Sequence, residues 1–199
     1  MKFFLVRHSD KAEGDYFNPR LRHDDQPIST FGRKQAHKIK KYFHKHSIRS
    51  IYVSEYIRTE QTARPLARKH NLVPIVDSRL NEIDIGIIDR LSDDEIREKY
   101  PEVLNASQAW NSDFRWPEGE TGVEAQERIV NFIKEQINQE GDVLIVAHDG
   151  IIRILVCYVL GLPVYRRFSF QVDTACITEI EWDKTKNKWR LIRFNQSVV

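Results

Sequence analysis

The chain has 199 residues, 41% of them hydrophobic and 30% charged, and at that length folding buries roughly 70% of the unfolded surface, enough for one substantial core without disulfides or metals. With 31 Lys and Arg against 29 Asp and Glu the net charge is only +2, which excludes a duplex-coating protein that binds by neutralising many phosphates; any anion site must be local. The longest apolar stretch, residues 154–162, is far short of the ~20 residues of a membrane span, and the apolar run at 3–6 ends at Arg7 without a cleavage pattern, so a soluble, unprocessed chain is expected.

Short runs rich in β-branched and aromatic residues occur at 3–6, 51–53, 72–76 and 143–147, with helix-like segments between most of them. That alternation predicts an α/β fold with a mostly parallel central sheet flanked by helices on both faces. A first helix is predicted from Ser29 or Thr30, whose hydroxyl can cap free amides, to about His46, with Ala36, Ile39 and Phe43 on one face. Its Lys38, Lys40, Lys41 and Lys45 read as a solvated face, since no aromatics interleave them as in a nucleic-acid or membrane patch. A second helix follows Arg58 and should kink or shift at Pro65, which lacks an amide. A short third, at 93–100, is stopped by Pro101. The clearest helix, 123–140, places Val130, Ile133 and Ile137 toward a core and ends at Gly141. A buried helix then runs from Asp149 or Gly150 to Gly161. Residues 176–182 and 189–194 alternate as strands around a polar turn, predicting an antiparallel hairpin at the sheet edge. Cys157 and Cys176 lack metal-ligand spacing and read as reduced thiols in the core of an intracellular, cytoplasmic protein. No repeat, low-complexity tract or linker divides the chain, so one domain over 1–199 is expected.

In open α/β sheets ligands bind beyond the carboxyl ends of the strands. Those ends carry Arg7-His8-Ser9-Asp10, Ser54 through Arg58, Arg79 with Glu82, and His148-Asp149-Gly150. A lone histidine or arginine there is ordinarily a polar cap or a surface ion pair, but four ends converge. Guanidinium groups grip phosphate oxygens in a fork and a neutral imidazole can attack phosphorus. Neighbouring positive charge keeps an imidazole such as His8 unprotonated, and Glu82 is placed to protonate a departing alkoxide and then activate water. His8, Asp10, His148 and Asp149 also have metal-ligand chemistry, which the flanking arginines oppose by repelling a cation.

Leu5-Val6-Arg7-His8 resembles the Arg-His-Gly signature of the histidine phosphatase superfamily, also called phosphoglycerate mutase-like. Further blocks are similar to that family in the same order. Pro27-Ile28-Ser29-Thr30 with Gly32, Gln35 and Ala36 resembles its first helix, and residues 53–58 with Gln61-Thr62-Ala63 its second arginine motif. Leu80-Asn81-Glu82 resembles the acid loop, Pro117-Glu118-Gly119-Glu120 the Pro-x-Gly-Glu block, and residues 146–150 the second histidine motif.

The resemblance implies that His8 is the nucleophile that becomes phosphohistidine, that Arg7 and Arg58 clamp the phosphoryl oxygens, that His148 stabilises the charge developing there, and that Glu82 donates the proton. It implies no metal or cofactor. Ser9 and Asp149 are expected beside the substrate. Ser9 stands where the family has Gly, Asp10 where it usually has Glu, and Gly14 where it has Asn, so Asn18 is the nearest candidate for that phosphate contact. Gly86-Ile87-Ile88-Asp89 lacks the usual Trp-Glu-Gly. An insertion at about 85–122 is expected as a lid, with Trp110, Phe114 and Trp116 packing it on the sheet rather than binding a leaving group. The long insertions of the mutases are missing, which favours a phosphatase of small phosphorylated metabolites. Phosphoryl transfer to an alcohol would instead mark a phosphomutase, and failure to turn over an aryl phosphate a weakly catalytic, phospho-ligand-binding regulator. Expected partners are a small phosphorylated substrate, without nucleic acid or membrane, and a homodimer is an assembly open to the chain.

Overall fold

A computed structural model describes residues 1–198. Strand β1 (Lys2–Arg7) is followed by a small hairpin, β2 (Phe17–Asn18) and β3 (His23–Asp24), then by helix α1 (Thr30–Phe43), β4 (Ile48–Val53), α2 (Ile57–His70) and β5 (Ile75–Val76). Helices α3 (Asp93–Lys99), α4 (Pro101–Ala109) and α5 (Gly122–Gln136) precede β6 (Asp142–Ala147) and α6 (Asp149–Leu160), and the chain closes with β7 (Ile177–Asp183) and β8 (Lys188–Gln196). The sheet order is β5-β4-β6-β1-β7-β8. The first four strands in that order are parallel, and β7 and β8 add the antiparallel edge hairpin.

Side chains of a strand alternate between faces, and β1 shows why its unbroken apolar run is needed. Phe3 and Leu5 enter one core with Phe132 and Ile133 of α5 and Ile154 of α6. Phe4 and Val6 enter the other, with Ile39 and Phe43 of α1 and Leu66 of α2. Both faces are therefore covered by helices. Three helices begin where a hydroxyl satisfies a free amide: the Ser29 hydroxyl accepts from Gly32 N at 2.9 Å at the start of α1, and Ser92 and Thr121 form capping boxes with Glu95 and Glu124 at the starts of α3 and α5.

Several boundaries differ from the sequence reading. Pro101 does stop α3, but it then occupies the first position of α4, where its missing amide costs nothing. Helix α2 runs through Pro65 as one element. The strand expected at 72–76 is only Ile75–Val76, both exposed at the sheet edge, because a strand with one neighbour has little to bury. Helices α1 and α5 end at Phe43 and Gln136, a few residues short of expectation. Cys157 and Cys176 are free and buried, and burial pushes the Cys157 thiol up to about 11. Among the described residues no helix is long and apolar enough to cross a membrane.

Candidate active site

Parallel register assembles the centre of the site. Arg7 of β1 is level with Ala147 of β6, and Val53 of β4 with Val146, so the residues that follow are adjacent: His8, His148 and Ser54. The His8 amide donates to the Ala147 carbonyl at 2.9 Å, and the two imidazoles lie 5.4 Å apart. A cleft of about 380 Å³ opens above these strand ends, with Arg7, His8, Arg58, Glu82 and Asp149 in its walls.

His8 is 4% exposed, and its Nδ1–H donates to the Ser9 carbonyl at 2.8 Å, which leaves the lone pair on Nε2. Burial, and next the Arg58 charge, push its pKa down to about 3. His148 is fully buried behind it. Arg58 Nη2 donates to His148 Nδ1 at 3.3 Å, so its Nε2–H donates to the Ser54 hydroxyl at 2.8 Å, which is itself paired with Thr59. Burial and the Arg58 charge hold His148 well below the usual histidine range.

Arg58, in the first turn of α2, lies 4.2 Å over the Tyr56 ring and donates to the Asp24 carbonyl. Arg7 donates to the Val172 carbonyl at 2.5 Å. The Nε atoms of both guanidiniums are buried and have no hydrogen-bond partner among the described residues. Buried donors are rarely left so, and here two cations converge with the N-terminal ends of α2 and α6, an arrangement suited to an anion.

Glu82 lies in the same cleft, and its carboxylate accepts from the amides of Ile83 at 2.9 Å and Gly150 at 3.2 Å. Burial is the main cause of its raised pKa, opposed by those two hydrogen bonds. A Cβ on Gly150 would fall 2.6 Å from the Glu82 oxygen, so the glycine permits this approach. Arg128 of α5 fixes the acid loop from outside: it donates to the carbonyls of Arg79, Asn81 and Glu82 and pairs with Glu120 at 2.5 Å. Asn81 and Glu55 exchange hydrogen bonds that tie this loop to the one after β4.

The other sequence candidates lie at different distances from the cleft. Asp149 lines it and pairs with Arg153 at 2.6 Å, its own pKa raised by burial. Ser9 is fully buried, does not line the cleft, and leaves its hydroxyl unpartnered while its amide donates to Thr62. Asn18 is also outside the lining and donates to Asp25, which in turn accepts from the Ile57 amide and lies 4.0 Å from Arg58. Asp10 turns away to accept from the Ser29 hydroxyl, while its amide donates to Gln35. Trp110 and Phe114 lie nearly parallel to Phe168, and Trp116 and Phe168 reach the cleft wall. Among the described residues no group of three or more His, Cys, Asp or Glu is arranged to hold a metal ion.

Lys11 and His23 also line the cleft, and sequence reasoning passed over both. His23 joins the β2–β3 hairpin to the 84–89 loop, with Nε2 3.1 Å from Asp84 and Nδ1 3.1 Å from Asp89. An imidazole between two carboxylates needs both protons, and the Asp89 hydrogen bond raises its pKa against the effect of burial. A raised folded-state pKa contributes stability that is complete below the ordinary histidine value and is lost as pH rises through the folded one. Urea midpoints should therefore separate wild type from His23→Gln at pH 6 and converge at pH 9. A gap unchanged between the two pH values would dismiss the ionic link.

The family model for the histidine phosphatase superfamily (branch 1) matches residues 3–197. The chain is 28% identical over 192 residues to phosphoserine phosphatase 1 of Hydrogenobacter thermophilus, covering 94% of this chain and 89% of that protein. It is 25% identical over 190 residues to a probable phosphoglycerate mutase of Enterobacter sp. (strain 638), covering 93% and 86%. Among solved structures, mycobacterial glucosyl-3-phosphoglycerate phosphatase in complex with inorganic phosphate has a TM-score of 0.83 at 26% identity, covering 99% of this chain and 98% of that one. Two strand-end histidines, two converging arginines and a desolvated acid thus sit in a chain that belongs to the histidine phosphatase superfamily.

Proposed function

We propose that the chain is a phosphomonoesterase that hydrolyses small phosphorylated metabolites through a phosphohistidine. The observation that carries this is His8: its Nδ1 is committed to the Ser9 carbonyl, its Nε2 is free, and burial with Arg58 keeps it neutral beside two guanidiniums with unpartnered donors. The phosphoryl oxygens bind Arg7 and Arg58, and His8 Nε2 attacks phosphorus as the ester bond to the leaving alkoxide breaks. Glu82, whose acid form is favoured by its desolvated position, gives its proton to that alkoxide. It then takes a proton from water as the water attacks the phosphohistidine, and His8 leaves as a neutral imidazole with phosphate as product. His148 orients Arg58 through the contact at Nδ1, and through that guanidinium it acts on the charge that develops on the phosphoryl oxygens. Asp149 borders the leaving group, whereas Ser9 and Asn18 act from outside, through the His8 proton and the Asp25–Arg58 contact.

Residues 85–122 form the lid of this cleft. Asp113 anchors it by accepting from the first amides of α5 and from Arg167, and Trp116 places an apolar wall beside the leaving group. The relatives named above act on phosphorylated serine or a phosphorylated glycerate derivative by their names, and a small, polar, phosphorylated metabolite fits a cleft of this size. Phosphate release from a panel of phosphorylated metabolites, measured with and without chelator, tests the proposal. Turnover should persist in chelator and be strongly inhibited by vanadate, which mimics the five-coordinate transition state. Activity lost in chelator and restored by added metal would replace this mechanism with a metal-dependent one, and product appearing mainly on an added alcohol would identify a mutase.

A further inference from the structure

Away from the catalytic cleft, α1 and α2 pack side by side and leave a groove of about 570 Å³. Arg33, His37 and Lys40 line it from α1 at spacings of about one helical turn, and Arg64, Arg68 and Lys69 line it from α2, Arg64 and Arg68 one turn apart. Ile28, Ala36 and Pro65 supply an apolar lining between the two charged rims.

The charge in this groove is not balanced locally. No Asp or Glu lines it, and none occurs from residue 26 to 54, a stretch holding seven Lys and Arg in a chain whose net charge is only +2. Arg64 is held by Glu60, but among the described residues Arg33, Lys40, Arg68 and Lys69 have no carboxylate partner. Some exposed cations elsewhere are paired, Arg97 with Asp94, Lys99 with Glu95, Arg115 with Glu124 and Arg190 with Glu181, whereas on the outer face of α1 and just past its end Lys41 and Lys45 have no carboxylate partner among the described residues either. Like charges one turn apart destabilise a helix. Several cations gathered in one concavity therefore oppose folding until an anion joins them, whereas a merely solvated face would gain from interleaved acids.

The shape narrows the ligand. A groove of this volume lies within the range of small-molecule sites. A duplex or a membrane would lie across exposed convex surface, where Lys41 and Lys45 outside the groove would serve equally well. Guanidinium forks suit phosphate oxygens, and the apolar lining suits an organic body. We propose that the α1–α2 groove is a second binding site, distinct from the catalytic cleft, for an organic molecule that carries two or more phosphate groups.

The test uses the full chain with vanadate filling the catalytic cleft, and two probes, inorganic tripolyphosphate and β,γ-methylene-ATP, followed by titration calorimetry and thermal melting. Both should bind saturably at one site and raise the melting temperature, the nucleotide more tightly because it also contacts the apolar lining. Arg33→Gln with Arg68→Gln, both exposed, should weaken binding by about tenfold or more while leaving the unliganded fold intact. Lys41→Gln with Lys45→Gln removes the same charge from outside the groove and should change affinity by less than about twofold, since exposed charges at that distance are screened. Equal weakening by both pairs would reduce the effect to diffuse attraction by a solvated face and overturn the site. So would failure of the wild type to saturate with either probe, loss of binding when vanadate is present, or binding confined to duplex DNA or anionic vesicles.

Discussion

His8→Ala should lower turnover of every phosphomonoester by roughly 10⁵-fold or more, the scale on which loss of a nucleophile acts when catalytic groups work as a unit. The reason is positional. The Ser9 carbonyl occupies Nδ1, burial keeps the ring neutral, and the parallel pairing of β1 with β6 holds its main chain, so no neighbouring group can replace Nε2. Ser9, the adjacent hydroxyl, is fully buried and absent from the cleft wall. Wild type quenched during turnover should carry phosphate in an acid-labile, base-stable form, and the variant none. Label that survives acid and maps to Ser9 would contradict the mechanism. Matching melting temperatures for the two proteins would show that the loss is chemical.

Glu82→Gln should separate substrates by leaving group. A general acid contributes roughly a hundredfold to ten-thousandfold, but only where the departing oxygen needs a proton. An alkoxide needs it and a nitrophenolate hardly does, so kcat/KM for an alkyl phosphate should fall by about that factor while p-nitrophenyl phosphate loses far less. The pH profile carries the same information. Because burial raises the Glu82 pKa, the acid form survives to higher pH than an exposed glutamate would allow, and alkyl phosphate turnover should decline as pH rises through that value. Glu82→Gln should abolish that decline. Gly150→Ala, whose Cβ would meet the Glu82 oxygen, should show the same preference for p-nitrophenyl phosphate in milder form. Equal losses on both substrates would make Glu82 a positioning group and direct attention to Asp149, the cleft carboxylate next to His148 in the chain.

Much of this was legible in the linear order of residues. Apolar runs with helical segments between them determined the parallel sheet, since a strand buried on both faces must be apolar throughout, as β1 is with Phe3 and Leu5 in one core and Phe4 and Val6 in the other. Where those runs stop, at Arg7-His8 and at His148-Asp149, the chemistry of the site was already written, because such sheets present their strand ends to ligand. The capping hydroxyls of Ser29 and the Gly161 helix end were equally local and equally readable.

Tertiary structure decided what depends on neighbours distant in the chain. The hairpin to which His23 belongs meets Asp84 and Asp89 only after folding, some sixty residues apart, so nothing beside His23 marked it. Arg128 reads locally as an ordinary helix charge, yet it fixes the loop that bears Glu82. Ser9 and Asn18, conspicuous in the sequence, came to lie behind the cleft wall rather than in it, because their hydrogen bonds go to Thr62 and Asp25. Strand register set the meeting of His8 with His148, and it follows from the packing of two whole cores. A shift of one residue along β6 would turn every side chain of that strand to the opposite face, and only the summed burial of both faces forbids it.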